Sequence, residues 1–268
     1  FMLNQLFADP IHLRLAQAFV AILLTLLVAY SARRWAIRLE RETIIALARG
    51  IIQIVSVGFV LTFVITLQGW GQWLLSLLIL VAMMIAASMI AARRTQHIPG
   101  IWQVALAAIV CGPGLMIALL AVIGVIDTDA ATLIPVGSIV IANAMNTMSL
   151  ALERFAAEVE SHAGQIEAGL ALGAAPNVVL APYVQTTIQA ALIPSVNNLR
   201  SLGIVWIPGV MAGMILAGSN PLEAALYQFV IIAMLFATAG ITALSCTLLA
   251  RAHFFSAAEQ LRVPSKAS

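Results

Sequence analysis

Ile101-Trp-Gln-Val-Ala-Leu-Ala-Ala-Ile-Val-Cys-Gly-Pro-Gly-Leu-Met-Ile-Ala-Leu-Leu-Ala-Val-Ile-Gly-Val-Ile126 contains no Asp, Glu, Lys or Arg. A helix of that length is about 39 Å long at about 1.5 Å per residue, more than the roughly 30 Å hydrocarbon core of a bilayer. The apolar run is continuous and not alternating, which excludes a barrel strand. In hydrocarbon the backbone must bond to itself, so the stretch reads as a spanning helix. Six more stretches read the same way: Leu13–Ser31, Ile44–Leu67, Trp73–Ala92, Leu133–Leu152, Ser201–Gly218 and Ala225–Leu249. Composition agrees. Of 268 residues, 62% are hydrophobic and 9% charged, with a mean hydropathy of +1.05. A typical soluble domain has about 45–50% and about 25%. The expected fold is an all-α polytopic membrane protein of seven spans, one membrane domain over residues 1–268.

The charges orient it. Arg33, Arg34, Arg38 and Arg41 follow the first span, Arg93 and Arg94 the third, Arg154 and Arg200 the fifth, and Arg251, Arg262 and Lys266 the last. The opposite loops hold Asp127, Asp129 and Glu223, and Arg14 is the one basic residue there. Basic residues concentrate on the cytosolic side, so the N-terminus is expected outside and the C-terminus in the cytosol. This distribution also argues against nucleic-acid binding, because the charges separate apolar blocks and form no patch. Cys111 and Cys246 lie inside apolar stretches and suggest no disulfide framework. No basic region precedes the first apolar block, which is expected to be a retained span.

The segment between the fifth and sixth spans is expected to be a cytosolic helical hairpin, residues 153–200. Leu152, Phe155, Val159, Ala163, Ile166 and Leu170 recur at helical spacing. Glu153, Arg154, Glu158, Glu160, Gln165 and Glu167 fill the other face. An acidic helix on the cytosolic side suits a protein partner better than anionic lipid. Gly173-Ala-Ala-Pro176 breaks the helix, with Pro176 placed to start the next. That second helix, about Asn177–Pro194, is too polar and short to span on this reading.

Absences narrow the chemistry. A P-loop needs a lysine on the nucleotide phosphates, and the single lysine is Lys266. No His-Glu-x-x-His pair or Gly-x-Ser-x-Gly elbow occurs, so no enzyme activity is expected of this chain and no cofactor is expected on it. Every acid falls in a loop or at a rim, which disfavours proton coupling. Gly112-Pro113-Gly114, Pro135 and Pro208-Gly209 are candidate helix breaks, or simple bends.

Polar groups at depth are few. Arg49 and Gln53 share a face of the second span; Arg49 either snorkels to the headgroups or pairs with the hairpin. Asn143 and Asn146, beside Met145 and Met148, suit a translocation path or a helix–helix contact. Met211 is a soft donor or a gap-filler. Gly209 and Gly213 form a Gly-x-x-x-Gly face that permits close helix packing, here between two copies.

Several motifs together carry a resemblance. Glu167-Ala-Gly-Leu-Ala-Leu-Gly173-Ala174 is similar to the EAA loop of ABC-transporter permeases, departing from it at Gly169. With Arg49-Gly-Ile-Ile-Gln53, Ile141-Ala-Asn-Ala-Met145, Leu172-Gly-Ala-Ala-Pro176, Ala191-Leu-Ile-Pro194, Pro208-Gly-Val-Met-Ala-Gly213 and Tyr227-Gln228, the chain resembles the FetB-type iron-export permeases. That family also includes plant aluminium-tolerance membrane subunits. The resemblance implies an inner (plasma) membrane permease that forms a homodimer, pairs with a separate ABC ATPase carrying the ATP, and exports iron or another metal. Glu160 joins Glu167, Gly173, Ala174 and Pro176 as the expected ATPase-coupling residues, and a side chain at Gly173 is expected to crowd the turn. The alternative is a stand-alone ion-coupled carrier or channel for a small solute.

Overall fold

The computed structural model describes residues 10–32, 40–94, 100–255 and 260–261. Arg33, Arg34, Arg38, Arg262 and Lys266, expected on the cytosolic side, lie outside the described residues. Every regular element among the described residues is a helix. Two units are compact by themselves, residues 1–67 and 68–268.

In the first unit, α1 (Pro10–Ala32) packs on α2 (Glu40–Thr66). Both carry exposed apolar side chains nearly throughout, among them Leu27, Val28, Ile52 and Phe59. Such a surface is stable against lipid and not against water.

The second unit contains α3 (Trp70–Arg94), α4 (Ile101–Ile109), α5 (Leu115–Ile123), α6 (Ala130–Ser161), α7 (Ala163–Ala171), α8 (Pro176–Ser201), α9 (Gly209–Leu216) and α10 (Pro221–Arg251). Its centre is the α6–α10 pair, with α3 and α8 against α6, and α4 and α8 against α10. Asp129 caps α6 by accepting from Ala131 N (3.1 Å), and Asn220 caps α10 by accepting from Leu222 N (2.9 Å), with Pro221 at the first helical position. Buried alanines such as Ala144, Ala151, Ala239, Ala243 and Ala250 keep the helices close. Asn143 Nδ2 donates to Leu235 O (2.9 Å), and Phe155 meets Phe254 edge-to-face with centroids 5.2 Å apart. The two contacts occur in the same order along both helices, so α6 and α10 run parallel.

Among the described residues, five helical stretches are long and apolar enough to cross a membrane: Thr43–Thr66, Trp70–Arg93, Ile101–Ile123, Ala130–Ser161 and Pro221–Phe254; Leu15–Ser31 is a shorter apolar helix. The expected break at Gly112-Pro113-Gly114 is a π-helical turn, Val110–Gly114, inside continuous helix. Proline supplies no N–H, and the wider turn absorbs the lost bond. Gly112 is needed there, because Thr242 Oγ1 of α10 stands where a Cβ would fall. Pro135 is carried inside α6 without interruption.

Three expected boundaries differ. Residues 153–161 prolong α6 to 32 residues, about 48 Å, because no Gly or Pro stops the helix after Leu152. The second hairpin helix runs from Pro176 to Ser201, past the expected Pro194. The stretch expected as a sixth spanning helix, Ser201–Gly218, is instead a non-helical segment, 202–208, followed by the eight-residue α9. Gly203 at φ +75° and Pro208, extended at ψ 152°, end one helix and start the next.

α8 lays Leu180, Val184, Thr187, Ala191 and Ser195, all buried at helical spacing, on α6 and α10. Tyr183 stacks on His162 at the end of α6, with centroids 4.8 Å apart. α8 therefore doubles back along α6. For two antiparallel helices of equal rise, the 18 residues from 183 to 201 on α8 correspond to 162 to about 144 on α6. By that correspondence Ser201 ends α8 near the level of the Asn143–Leu235 bond. Beyond the break, Met211 N donates to Gln228 Oε1 of α10 (3.1 Å), a side chain only 3% exposed.

Candidate functional site

The polar end of α6 and the turn into α8 form an elbow. Its apolar seam is buried at Leu152, Phe155, Val159 and Ile166 and half-buried at Ala163 and Leu170. The opposite face exposes Glu153, Glu160 and Glu167. Arg154 pairs with Glu158 (2.7 Å). His162, between α6 and α7, has Nδ1 2.9 Å from both Ser161 Oγ and Glu158 O, and 3.5 Å from Glu158 Oε2. Tyr183 OH donates to Gln165 Oε1 (3.2 Å), tying α7 to α8.

α7 ends in a Schellman turn. Ala174 N donates to Gly169 O (3.1 Å) and Gly173 N to Leu170 O (2.9 Å), with Gly173 left-handed at φ +84°. Pro176 then opens α8 after an extended Ala175. A Cβ added to Gly173 meets nothing within 4 Å. The expectation of crowding is therefore corrected: backbone conformation, not space, calls for glycine at this position. Gly169, where the EAA pattern has alanine, is the crowded one, since a Cβ there would come 3.1 Å from Val179 Cγ2. The turn presents Leu172 to the outside, 90% exposed.

Beside the turn lies a cleft of about 690 Å³, lined by Glu167, Leu170, Ala171 and Gly173–Ala175, and by Gln260 and Leu261 from the tail. Leu261 pairs with Phe255 in an isolated antiparallel bridge. Sequence reasoning missed the tail's contribution, for which one apolar residue in a polar stretch gives no periodic signal. Of the expected coupling residues, Glu167, Gly173 and Ala174 line this cleft, Pro176 follows it, and Glu160 is exposed on the last turn of α6.

The expected path residues are not one cluster. Asn143 is half-buried and bonded to α10, Met145 is half-buried, Asn146 is exposed, and Met148 is fully buried as core. Met211 is half-buried at the start of α9. Arg49 and Gln53 belong to the first unit, exposed on a groove with Ile44, Ile45, Ala48 and Ile52. Gly209 and Gly213 are exposed, with open space where a Cβ would stand. No group of three or more His, Cys, Asp and Glu is assembled for a metal among the described residues.

The long apolar helices, with lipid-suited side chains facing outward and charge near their ends apart from Arg49 within α2, define a multi-pass α-helical membrane protein. Residues 14–255 match UPF0014, an uncharacterised protein family, and the chain belongs to it. It is 33% identical to the rice (Oryza sativa subsp. japonica) UPF0014 membrane protein STAR2 over 83% of this chain and 77% of that one. It is 30% identical to the probable iron export permease protein FetB of Escherichia coli (strain K12), over 93% of this chain and 94% of that one. It is 29% identical to protein ALUMINUM SENSITIVE 3 of Arabidopsis thaliana, over 92% and 88%. No solved structure matches the chain.

Proposed function

We propose that this chain is the membrane subunit of an ABC transporter in the inner (plasma) membrane, exporting iron or another metal with a separate ATPase subunit. The observation that carries the reading is the elbow. Acidic side chains, an exposed Leu172 and an open cleft stand together on a turn fixed by the Schellman bonds. An apolar knob rimmed by charge is the usual make-up of a docking surface, whose centre is desolvated and whose edge stays wet. Glu160, Glu167, Gly173, Ala174 and Pro176 couple the ATPase to the bundle. A relative named as a probable iron export permease supports iron as cargo.

Two ATPase subunits that close on each other need two membrane halves, so the permease works as a homodimer, for which the open Gly209–Gly213 face offers close packing. The N-terminus is outside and the elbow cytosolic. α1, α2, α3, the α4–α5 helix, α6 and α10 make six crossings, and the end of α8 with α9 makes the seventh. The test is co-expression with the ATPase encoded beside the gene and recovery on a tagged permease, followed by a metal screen for ATPase stimulation in the reconstituted complex. Recovery of a complex whose ATPase responds to iron is expected. Failure to recover any complex with the elbow intact overturns the assignment.

A further inference from the structure

The break between α8 and α9 has the wrong chemistry for lipid. In a continuing helix the amides of Gly203 and Ile204 would bond to Leu199 O and Arg200 O. Here Gly203 N donates to Trp206 O (3.0 Å), and Ile204 N to Ser201 O (3.2 Å), which also accepts from Val205 N (3.0 Å) and Trp206 N (3.3 Å). Leu199 O and Arg200 O thus lose their helical donors at the end of α8. Asn197, Asn198 and Arg200 are exposed beside them, and Ile204 and Val205 are 85% and 82% exposed.

The break also lies deep. The apolar part of α6 ends at Leu152, ahead of Glu153, and from there back to residue 144, level with Ser201, is about 12 Å of helix. From the other end, Gln228, which holds Met211, is about 10 Å along α10 from Pro221. What remains between them is the middle third of a bilayer about 30 Å thick. Non-helical backbone at that depth is stable only against protein or in a water-filled cavity.

We infer that residues 202–208 line a water-filled path at the middle of the bilayer, where main-chain carbonyls and the amides of Asn197 and Asn198 meet the solute. The polar part of the lining is neutral oxygens with a single cation, Arg200, which the charge pattern of the sequence places on the cytosolic side; beside the exposed Ile204 and Val205 it suits a solute that keeps its own shell of water or organic ligand. The inference rests on the transporter reading above and adds to it the place where the solute passes.

Single cysteines at Ile204 and Val205, in a Cys111→Ala chain whose remaining Cys246 is fully buried, test it in lipid nanodiscs. Two probes are used: the small, membrane-impermeant methanethiosulfonate ethylsulfonate, and a polyethylene-glycol maleimide too large for a narrow path. Controls are Leu244→Cys, exposed on the continuous α10, and Ala217→Cys, exposed in the loop between α9 and α10. The small probe should react at 204 and 205 about tenfold or more faster than at 244, since thiolate forms only in contact with water. The large probe should react at 217 and not at 204 or 205.

Equal reaction with both probes puts the segment at the surface and overturns the inference. Reaction no faster than at 244 puts it against lipid or a second copy, and overturns it equally. Ile207→Cys replaces either variant that does not purify as a single species. Labelling needs neither nucleotide nor ATPase, so slow labelling with an intact ATPase complex removes the path and leaves the transporter, and the converse result does the reverse.

Discussion

Gly173 separates two physical accounts of the elbow. If space were limiting, larger side chains would do more harm, and alanine would be better tolerated than asparagine. The structure gives the opposite order. Nothing stands within 4 Å of a Cβ at Gly173, while φ is +84°. A left-handed conformation disfavours an ordinary L-residue by about 1–2 kcal/mol relative to glycine, and asparagine by less, because it visits that region more readily. If the ATPase grips the turn only in its Schellman form, the whole difference transfers to association. Gly173→Ala should then weaken ATPase binding by about 5–30-fold, at about 1.4 kcal/mol per factor of ten. Gly173→Asn should lie between alanine and wild type, and Gly173→Val should be weakest. The assay is titration of ATPase onto permease in nanodiscs, with membrane insertion checked by gel filtration. Binding that falls with side-chain volume, so that Asn is worse than Ala, would refute the backbone argument. Equal binding by all three would show that the turn is not gripped.

Other changes follow from particular contacts. Gly112→Ala drives a methyl into Thr242 of α10 and should destabilise the unit by about 1–3 kcal/mol, as overpacking does. Pairing it with Thr242→Ala should recover about 1–2 kcal/mol relative to the sum of the single changes, read by thermal unfolding in detergent. Strict additivity there would mean that the close approach is absent. Gln228→Leu strips the half-buried Met211 N of its acceptor, at about 1 kcal/mol, the lower end of the cost of an unpaired group; hydrogen exchange at 209–213 should quicken while that of α3 is unchanged. Asn146→Leu, at an exposed position of α6, should leave stability within about 0.5 kcal/mol. It should also lower metal-stimulated ATPase, and unchanged stimulation would take Asn146 out of the path.

The spanning helices from Ile44 to Leu152 and at 225–249 were legible because a long apolar run has one stable form in lipid. So was the break at Gly173-Ala-Ala-Pro176, where glycine and proline act locally. α8 was harder. A helix with one face in protein and another exposed carries Gln185, Thr186 and Gln189 outward and Leu180 and Val184 inward, and its averaged hydropathy resembles that of a surface helix. Residues 201–218 misled in the other direction. Their side chains are apolar, yet Gly203 and Pro208 deny them a continuous helix, and hydropathy does not register backbone conformation. The elbow's acidic face and buried seam follow from spacing. The tail residue Leu261 in the cleft follows from tertiary packing alone.

α6 joins the Asp129 cap at one end to His162 and the elbow at the other, with Pro135 carried inside its 32 residues without a break in the helix. A rod about 48 Å long acts as a lever: pivoting by about 10° around its midpoint moves each tip by about 4 Å, in opposite directions. On the transporter reading proposed above, leverage of that size would carry a push at the elbow to the Asp129 end of the helix, with no helix melting in between.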